Sequence, residues 1–291
     1  MNTIEPHIFP ARRAGNDLPV VALHCSASTG CQWQGLIARF AGQRQVVTPD
    51  LPGYGIAADD AGMQDPTSLA GEAEAVLRSV GDATSAFHLI GHSYGGAVAL
   101  KLALRHPARV RSLTLIEPVV FHLLLHSGSG EDMRHYRDIL GVRDRIRGAV
   151  AAGWPAFGMA AFVDFWSGEG AWDGARMEQR QHLAGQANAV LRDFAAVLGE
   201  TWPAEDVARL SMPLLTIAGS ESPAISQRLA DRIVDTARDV TAARIFGAGH
   251  MAPITHTETV NDLIERHLRV AETAAGVSQP QVCLHRSPAA A

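Results

Sequence analysis

The sequence predicts an α/β protein with a mostly parallel central sheet, helices on both faces of that sheet and an α-helical cap insertion. Short apolar runs that end in turn residues alternate with longer segments of helical periodicity, which is typical of βαβ units. The alternation stops between residues 119 and 203, where only helical patterns remain, and then resumes. With 291 residues, of which 47% are hydrophobic and 19% charged, the chain is long enough for one such domain with an insertion.

The first part of the chain contains four predicted strands and three predicted helices. Each strand is a short apolar run that ends in a turn residue, and each helix repeats apolar residues every three or four positions. Gly42 and Pro107 end two of the helices, since glycine and proline interrupt helical backbone. The predicted strands cover residues 19–24, 45–50, 86–91 and 110–118, and the predicted helices cover residues 31–42, 68–81 and 94–107.

The insertion is rich in large apolar side chains, so we expect it to cover the carboxyl edge of the sheet and to line an apolar pocket. Predicted strands at 213–220 and 243–250 and predicted helices at 225–237 and 257–268 follow it. We therefore expect a core formed by residues 1–118 and 204–273, a cap at 119–203 and a flexible carboxyl-terminal tail at 274–291. The candidate lining residues are Phe121, Leu123, Leu124, Leu125, Trp154, Phe157, Phe162, Phe165, Trp166 and Trp172.

The bulk properties favour a cytoplasmic protein that acts on a small molecule. A formal net charge of -5 gives no reason to expect nucleic acid or an anionic membrane as a partner. Cys25, Cys31 and Cys283 are odd in number and lack paired CxxC spacing, so neither a disulfide framework nor a metal site is predicted. The first residues lack an apolar signal segment, and nowhere do 18 uncharged apolar residues follow one another, so no membrane span is expected.

The stretch "LIGHSYGG" places Ser93 between Gly91 and Gly95, after a predicted strand and before a predicted helix. A sharp strand-to-helix turn strains the serine backbone and needs neighbours without side chains. Ser93 is a candidate nucleophile, because ligands bind at the carboxyl ends of parallel strands and a helix N-terminus stabilises a developing anion. Alternatively, the two glycines only allow a strand and a helix to pack closely.

A serine hydroxyl is a poor nucleophile unless a base removes its proton during attack. His250 follows the last predicted strand in the glycine-flanked stretch "FGAGHMAP", at the same edge of the sheet as Ser93. His92 is adjacent to the serine in sequence, but the sharp turn points it elsewhere, and His24 ends an earlier strand where local hydrogen bonds explain it. His250 is therefore the predicted base.

The order of strand, Gly-x-Ser-x-Gly, helix, helical insertion and late Gly-x-Gly-His resembles the α/β-hydrolase superfamily over roughly residues 18–270, as does the turn "DLPGYG" at residues 50–55. The resemblance implies the α/β-hydrolase fold and a catalytic triad. Most members carry the acid as the Asp of a Gly-x-x-Asp turn after the strand that follows the insertion, but here Ser222 occupies that position. Some members carry the acid one strand earlier, so Glu117 is the predicted acid and Glu221 the alternative. Glu117 could instead be a loop anchor.

The resemblance also implies an oxyanion hole made by two backbone N–H groups. Members commonly follow the first central strand with His-Gly, whereas this chain reads His24-Cys25-Ser26. We expect the amides of Ser26 and Tyr94 to form the hole, with Cys25 in the place of a glycine. No strand-turn-helix elbow surrounds Cys25, so it is not predicted to be a nucleophile.

These residues predict a serine hydrolase, carboxylesterase-like and without a cofactor, that cleaves a carboxylic ester with an apolar or aromatic group through an acyl-enzyme on Ser93. Two rival functions use the same fold. The first is a C–C bond hydrolase or a cofactor-free perhydrolase or haloperoxidase. The second is a ligand-binding protein that has kept the serine and the histidine without turnover.

Overall fold

A computed structural model of the chain describes residues 8–9, 18–55, 68–81, 86–125 and 128–276. Within these residues one sheet of seven strands runs in the order β1-β3-β2-β4-β5-β6-β7. β1 pairs antiparallel with β3, and the other neighbours are parallel. The strands are β1 (Ile8–Phe9), β2 (Val20–Leu23), β3 (Val46–Val47), β4 (Phe87–His92), β5 (Val110–Ile116), β6 (Leu214–Gly219) and β7 (Val240–Ile245).

Helices cover both faces of the sheet, as predicted. In the part of the chain that is described they are α1 (Gln34–Phe40), α2 (Leu69–Val80), α3 (Tyr94–Arg105), α4 (Gly130–Ala151), α5 (Pro155–Ser167), α6 (Ala171–Gly174), α7 (Met177–Gly185), α8 (Ala187–Leu198), α9 (Ala224–Thr236), α10 (Ala252–Thr255) and α11 (Thr257–Gly276). Short 3-10 segments lie at Gly30–Trp33, Pro107–Arg109, Phe121–Leu124 and Ala204–Arg209.

The central strands are apolar on both faces because each face is buried under helices. In β2 the side chains alternate, so that Val21 and Leu23 join the core shared with α2, α3 and α9, while Val20 and Ala22 join the core shared with α1 and α11. This explains why the strands read as continuous apolar runs rather than as alternating apolar and polar residues.

The register of the parallel strands brings their carboxyl ends to one edge. Leu23 pairs with Gly91 of β4, and His92 pairs with Ile116 of β5. Ile116 in turn pairs with Ile217 of β6. The residues that directly follow β2, β4 and β5 therefore emerge side by side, which places a candidate site at this edge.

Residues 119–203, which the sequence predicts to form a cap, are helical, and no strand lies in their described part. An ion-pair cluster joins this segment to the core: Asp132, in the first turn of α4, is fully buried and accepts from Arg228 Nε of α9 at 2.6 Å and from Arg232. The acid is enclosed while the guanidinium groups keep partial contact with solvent.

Three predicted boundaries differ from the structure. β3 has two residues instead of six. β7 lies at Val240–Ile245, whereas 243–250 was expected, because this edge strand is largely exposed and carries few large apolar residues to reveal it. α11 continues to Gly276, so the expected tail would begin inside a helix, and residues 277–291, with Cys283, lie outside the described residues.

Among the described residues, no helix is both long and apolar enough to cross a membrane. The same residues contain no group of three or more His, Cys, Asp or Glu side chains arranged to hold a metal ion.

We expect Asp132→Asn to lower the free energy of unfolding by about 2–3 kcal/mol, since it removes the buried negative charge that two guanidinium groups share. This loss of stability is smaller than the about 3–5 kcal/mol typical of a fully buried ion pair that loses one partner, because both arginines stay partly hydrated. Urea unfolding followed by circular dichroism measures the change.

The matched control is Asp144→Asn on the same helix. Asp144 is about half exposed, and its ion pairs among the described residues are with Arg143 and Arg147, so we expect a loss of about 0.5 kcal/mol or less. Equal losses for the two variants would contradict the role assigned to Asp132.

Candidate active site

Ser93 lies in the turn between β4 and α3 with a left-handed backbone, φ 54° and ψ -114°. Its N–H donates to the carbonyl of Ile116 at 2.9 Å, and its carbonyl accepts from the N–H of Val119 at 3.2 Å. A Cβ at Gly91 would collide with the carbonyl of Gly95, and a Cβ at Gly95 would collide with backbone of β2. The glycines therefore allow the sharp turn, and the strained serine is fixed by the adjacent strand.

Ser93, His250 and Glu117 form one chain of hydrogen bonds. Ser93 Oγ lies 3.0 Å from His250 Nε2, and His250 Nδ1 lies 2.6 Å from Glu117 Oε2. With the proton on Nδ1, the imidazole donates to the carboxylate and can accept from the serine hydroxyl. All three side chains are buried, with exposures of 6%, 3% and 1% in that order.

Glu117 follows β5 directly and also has a positive φ, 46°. Its second oxygen, Oε1, accepts from the N–H of Gly219 at 2.7 Å and from the hydroxyl of Ser222. Burial by itself raises the pKa of Glu117, but the hydrogen bond and charge of His250, with the donors Gly219 and Ser222, outweigh it and hold this pKa at about 2. The carboxylate is thus ionised throughout the neutral range.

The alternative acid, Glu221, does not join this chain. Its carboxylate accepts from Ser220 Oγ at 3.2 Å, and among the described residues no hydrogen bond connects it to His250. Ser222, which stands where the aspartate was expected, donates to Glu117 instead. The structure therefore places Glu117, and not Glu221, in hydrogen-bond contact with His250.

Two backbone N–H groups flank Ser93 without an acceptor among the described residues: those of Ser26 and of Tyr94. Tyr94 is the first residue of α3, where the N–H has no partner inside the helix. The loop after β2 turns at Ala27, with φ 55°, rather than at Cys25, so the loop bends without a glycine. Burial raises the pKa of Cys25 to about 12, which keeps it a neutral thiol.

A second network, missed from the sequence, connects this loop to His250. Gln32 accepts from the N–H of Cys25 at 3.0 Å and contacts His92 Nδ1 at 3.1 Å. His92 Nε2 donates to the carbonyl of His250 at 2.8 Å. Burial lowers the pKa of His92 to about 3, so it stays neutral and fixes the backbone that carries His250. His24 likewise accepts from the N–H of Leu51.

Two cavities meet at Ser93. The larger, about 310 Å³, is lined by Ser93 and His250 together with Leu183 and Ile254. The smaller is a recess of about 20 Å³ that includes Ser93 and Tyr94 but not His250. Trp166 of α5 lines both cavities and stacks on the imidazole of His250 with 4.3 Å between ring centroids.

Asp193 of α8 is the second feature that sequence reasoning missed. It lines the recess, is only 4% exposed, and its Oδ2 accepts from Ser26 Oγ at 2.5 Å and from the hydroxyl of Tyr54. Burial raises the pKa of Asp193 to about 7, although both hydroxyl donors oppose the shift. The residues next to Asp193 in the sequence form no recognisable motif. Its place in the site becomes visible only when α8 packs against the loop after β2.

Some of the predicted lining residues border the recess, whereas others face solvent. Phe121, Phe162 and Trp166 line the recess. Trp154 and Phe157, by contrast, are 71% and 76% exposed. The sequence of α5 does not indicate which face of this helix packs against the rest of the protein, because apolar residues occur on nearly all of its sides.

Comparison with known proteins agrees with this fold. The chain is 35% identical over 109 residues to a pimeloyl-[acyl-carrier protein] methyl ester esterase of Aeromonas hydrophila, covering 36% of this chain and 39% of that one. It is 32% identical over 107 residues to a 2-hydroxymuconate semialdehyde hydrolase of a Pseudomonas species, covering 35% and 37%. The matches thus span less than two fifths of either relative.

Solved structures match over almost the whole chain. MenH from S. aureus has a TM-score of 0.70 at 19% identity and covers 92% of this chain and 99% of its own. A thermophilic esterase from Thermogutta terrifontis has a TM-score of 0.63 at 23% identity and covers 88% and 91%. At these identities the likeness shows the fold. The profile of one family, described as the alpha/beta hydrolase family, matches residues 20–263. The chain belongs to the alpha/beta hydrolase family.

Proposed function

We propose that this protein is a serine hydrolase that cleaves a carboxylic ester through an acyl-enzyme on Ser93. The observation that carries the proposal is the chain from Ser93 Oγ to His250 Nε2, 3.0 Å, and from His250 Nδ1 to Glu117, 2.6 Å. A serine becomes a nucleophile when an oriented imidazole takes its proton, and a carboxylate on the far nitrogen fixes the tautomer this needs.

In the first half of the proposed reaction, His250 takes the proton of Ser93 as Oγ attacks the ester carbonyl. The N–H groups of Ser26 and Tyr94 stabilise the oxyanion, and Glu117 stabilises the imidazolium. His250 then gives its proton to the leaving alcohol, and the acyl group stays on Ser93. In the second half, His250 deprotonates a water that attacks the acyl-enzyme, and His250 then returns this proton to Ser93 Oγ as the bond to the acyl group breaks and the acid leaves. These steps use only water and residues of this chain.

The two cavities assign the two halves of the ester. The leaving alcohol must lie beside His250 to receive its proton, and His250 lines the cavity of about 310 Å³. The acyl group then occupies the recess of about 20 Å³, which Ser93 and Tyr94 border. We therefore infer a substrate with a short acyl group and a larger, apolar alcohol.

The relatives support hydrolysis as the reaction class, since the names of both include an esterase or a hydrolase. The hydrolase of 2-hydroxymuconate semialdehyde favours C–C bond hydrolysis as a second candidate. Turnover of a dienoic diketone, compared with turnover of an ester by the same preparation, separates the two candidates.

We expect a fluorophosphonate to label Ser93 and to abolish ester hydrolysis. Mass spectrometry of the labelled peptide identifies the residue. Ser93→Ala is the control and should keep the fold, because among the described residues the hydroxyl hydrogen-bonds to His250 alone, and it should show neither label nor turnover. Absence of labelling in the folded wild type would count against the proposal and favour a binding protein.

We expect Glu117→Gln to lower kcat by about 10³-fold, because an amide cannot hold the Nδ1 tautomer or stabilise the imidazolium. Steady-state hydrolysis of an ester measures it. Glu221→Gln is the matched control and should change kcat by less than about threefold, as expected for a side chain outside the triad. The reverse order of effects would identify Glu221 as the acid.

The low pKa of Glu117 also predicts how stability depends on pH. The folded protein holds this pKa at about 2, whereas the unfolded chain has the ordinary value of 4.5, so the unfolded state binds the extra proton between these values. The contribution is complete above pH 4.5 and is lost as pH falls towards 2. The urea midpoint of the wild type should therefore fall more steeply from pH 5 to pH 3 than that of Glu117→Gln. Parallel curves would contradict the shift.

A further inference from the structure

The recess beside Ser93 contains a carboxylate that the proposed mechanism does not use. Asp193 holds two hydroxyl donors, Ser26 and Tyr54, on a single oxygen, Oδ2. Its other oxygen, Oδ1, accepts no hydrogen bond from any described residue. If this side chain served only to hold the loop after β2, a neutral acceptor could take the same two hydrogen bonds at a lower desolvation cost. The charge of Asp193 therefore needs a further explanation.

Four aromatic rings surround the same recess. Phe121 lies 6.5 Å from Trp166 and 6.3 Å from Phe194, measured between ring centroids. Phe162 closes the ring at 6.4 Å from Trp166 and 6.3 Å from Phe194. All four side chains line the recess together with Asp193. Aromatic faces carry negative charge and attract cations, so the walls and the carboxylate favour the same sign of ligand.

Among the described residues, no cationic side chain forms an ion pair with Asp193. Glu72 lies close enough for its pKa to be raised to about 8, by burial first and by the charge of Asp193 second. Tyr54 and Tyr94 have their pKa values raised well above 10, chiefly by burial, and stay neutral. Arg192 attracts Asp193 from a distance but does not hydrogen-bond to it in the described part of the chain.

We propose that this recess binds the ammonium group of a short α-aminoacyl ester, with Asp193 as its anionic partner and the four aromatic rings as its walls. The inference rests on the proposed function, because it assigns the acyl side of the same site. A recess of about 20 Å³ holds little more than one water-sized group. It therefore fits the ammonium of a glycyl group, whose methylene is bonded to the carbonyl carbon attacked by Ser93, and it excludes a trimethylammonium group.

Two benzyl esters of equal shape test the proposal. Glycine benzyl ester and benzyl propionate differ by an ammonium in place of a methyl group, and both use the same oxyanion hole and the same leaving alcohol. We expect wild-type kcat/KM to favour the glycyl ester by about tenfold or more, as for a hydrogen bond to a charged partner. Benzyl alcohol release, corrected for hydrolysis without enzyme, is measured by chromatography.

Asp193→Asn should remove this preference, since the amide keeps the acceptor for Ser26 and Tyr54 but loses the charge. Tyr54→Phe is the matched control: it removes a hydrogen bond from the same oxygen, retains the carboxylate and should keep the preference. Because the ratio of two substrates is compared within each variant, a general loss through the loop of Ser26 cancels. Asp193→Glu, which keeps the charge, and the wild-type ratio itself remain informative where Asp193→Asn does not fold.

Several results would overturn the subsite. A wild type without the preference, or an Asp193→Asn variant that loses both activities equally, would show that Asp193 only holds the loop. An equal preference for benzyl glycolate would show recognition of any hydrogen-bond donor rather than of a cation. Labelling of Ser93 without hydrolysis of either ester would overturn the subsite and leave the nucleophile in place. Failure of both labelling and hydrolysis would overturn the proposed function itself.

Discussion

At the carboxyl edge of the sheet the backbone is held in conformations that side chains disfavour, and the geometry of the site depends on this constraint. Among the described residues, the positive φ angles outside glycine belong to Ala27, Ser93 and Glu117, which leave β2, β4 and β5. Each of these conformations raises the free energy of the folded state by on the order of 1–3 kcal/mol, and the packing of the buried sheet compensates for it. Ser93 donates its N–H to β5, and Glu117 donates its own to β6. The hydroxyl and the carboxylate therefore reach one imidazole without rearrangement, which is the preorganisation that electrostatic catalysis requires.

In the proposed triad the acid lies one strand nearer to Ser93 than the family resemblance implies for most members, and the geometry of this edge explains how Glu117 reaches His250. His250 lies in the loop after β7, and β6 separates β7 from β5. A carboxylate that starts from β5 must therefore span more distance than one that starts from β6. Glutamate has one methylene more than aspartate, and from β5 the carboxylate of Glu117 reaches His250 Nδ1 at 2.6 Å. Ser222, in the vacated position, becomes a donor to Glu117. The turn after β6 thus carries a hydroxyl where most members carry the acid, and this hydroxyl donates to Glu117.

The sequence could predict what depends on local pattern. Buried parallel strands read as apolar runs, and the turn around Ser93 needs small neighbours at fixed spacing, so the central strands and this turn could be located along the chain. The glycines that flank His250 at the end of the last strand mark it as the candidate base in the same way. Contacts between distant segments leave no such signal: Asp193 meets Ser26 across 167 positions, and His92 reaches His250 across 158. The edge strand β7 was misplaced for a related reason, since exposed edges lack the apolar run that marks a central strand.

Asp193 shows how a buried carboxyl can select a substrate through the penalty it imposes. If the recess served only to hold a neutral acyl group, an apolar side chain in this place would bind it at no desolvation cost. With Asp193 present, a neutral acyl group faces either an unpaired carboxylate or a proton taken up from solvent, and both reduce binding. An ammonium restores the ionised form and gains the carboxylate and the aromatic walls together. Specificity of this kind comes as much from rejecting the neutral analogue as from attracting the cation. The same carboxylate also anchors the Ser26 loop, so the acyl group that fits the recess contacts the residue that holds one amide of the proposed oxyanion hole.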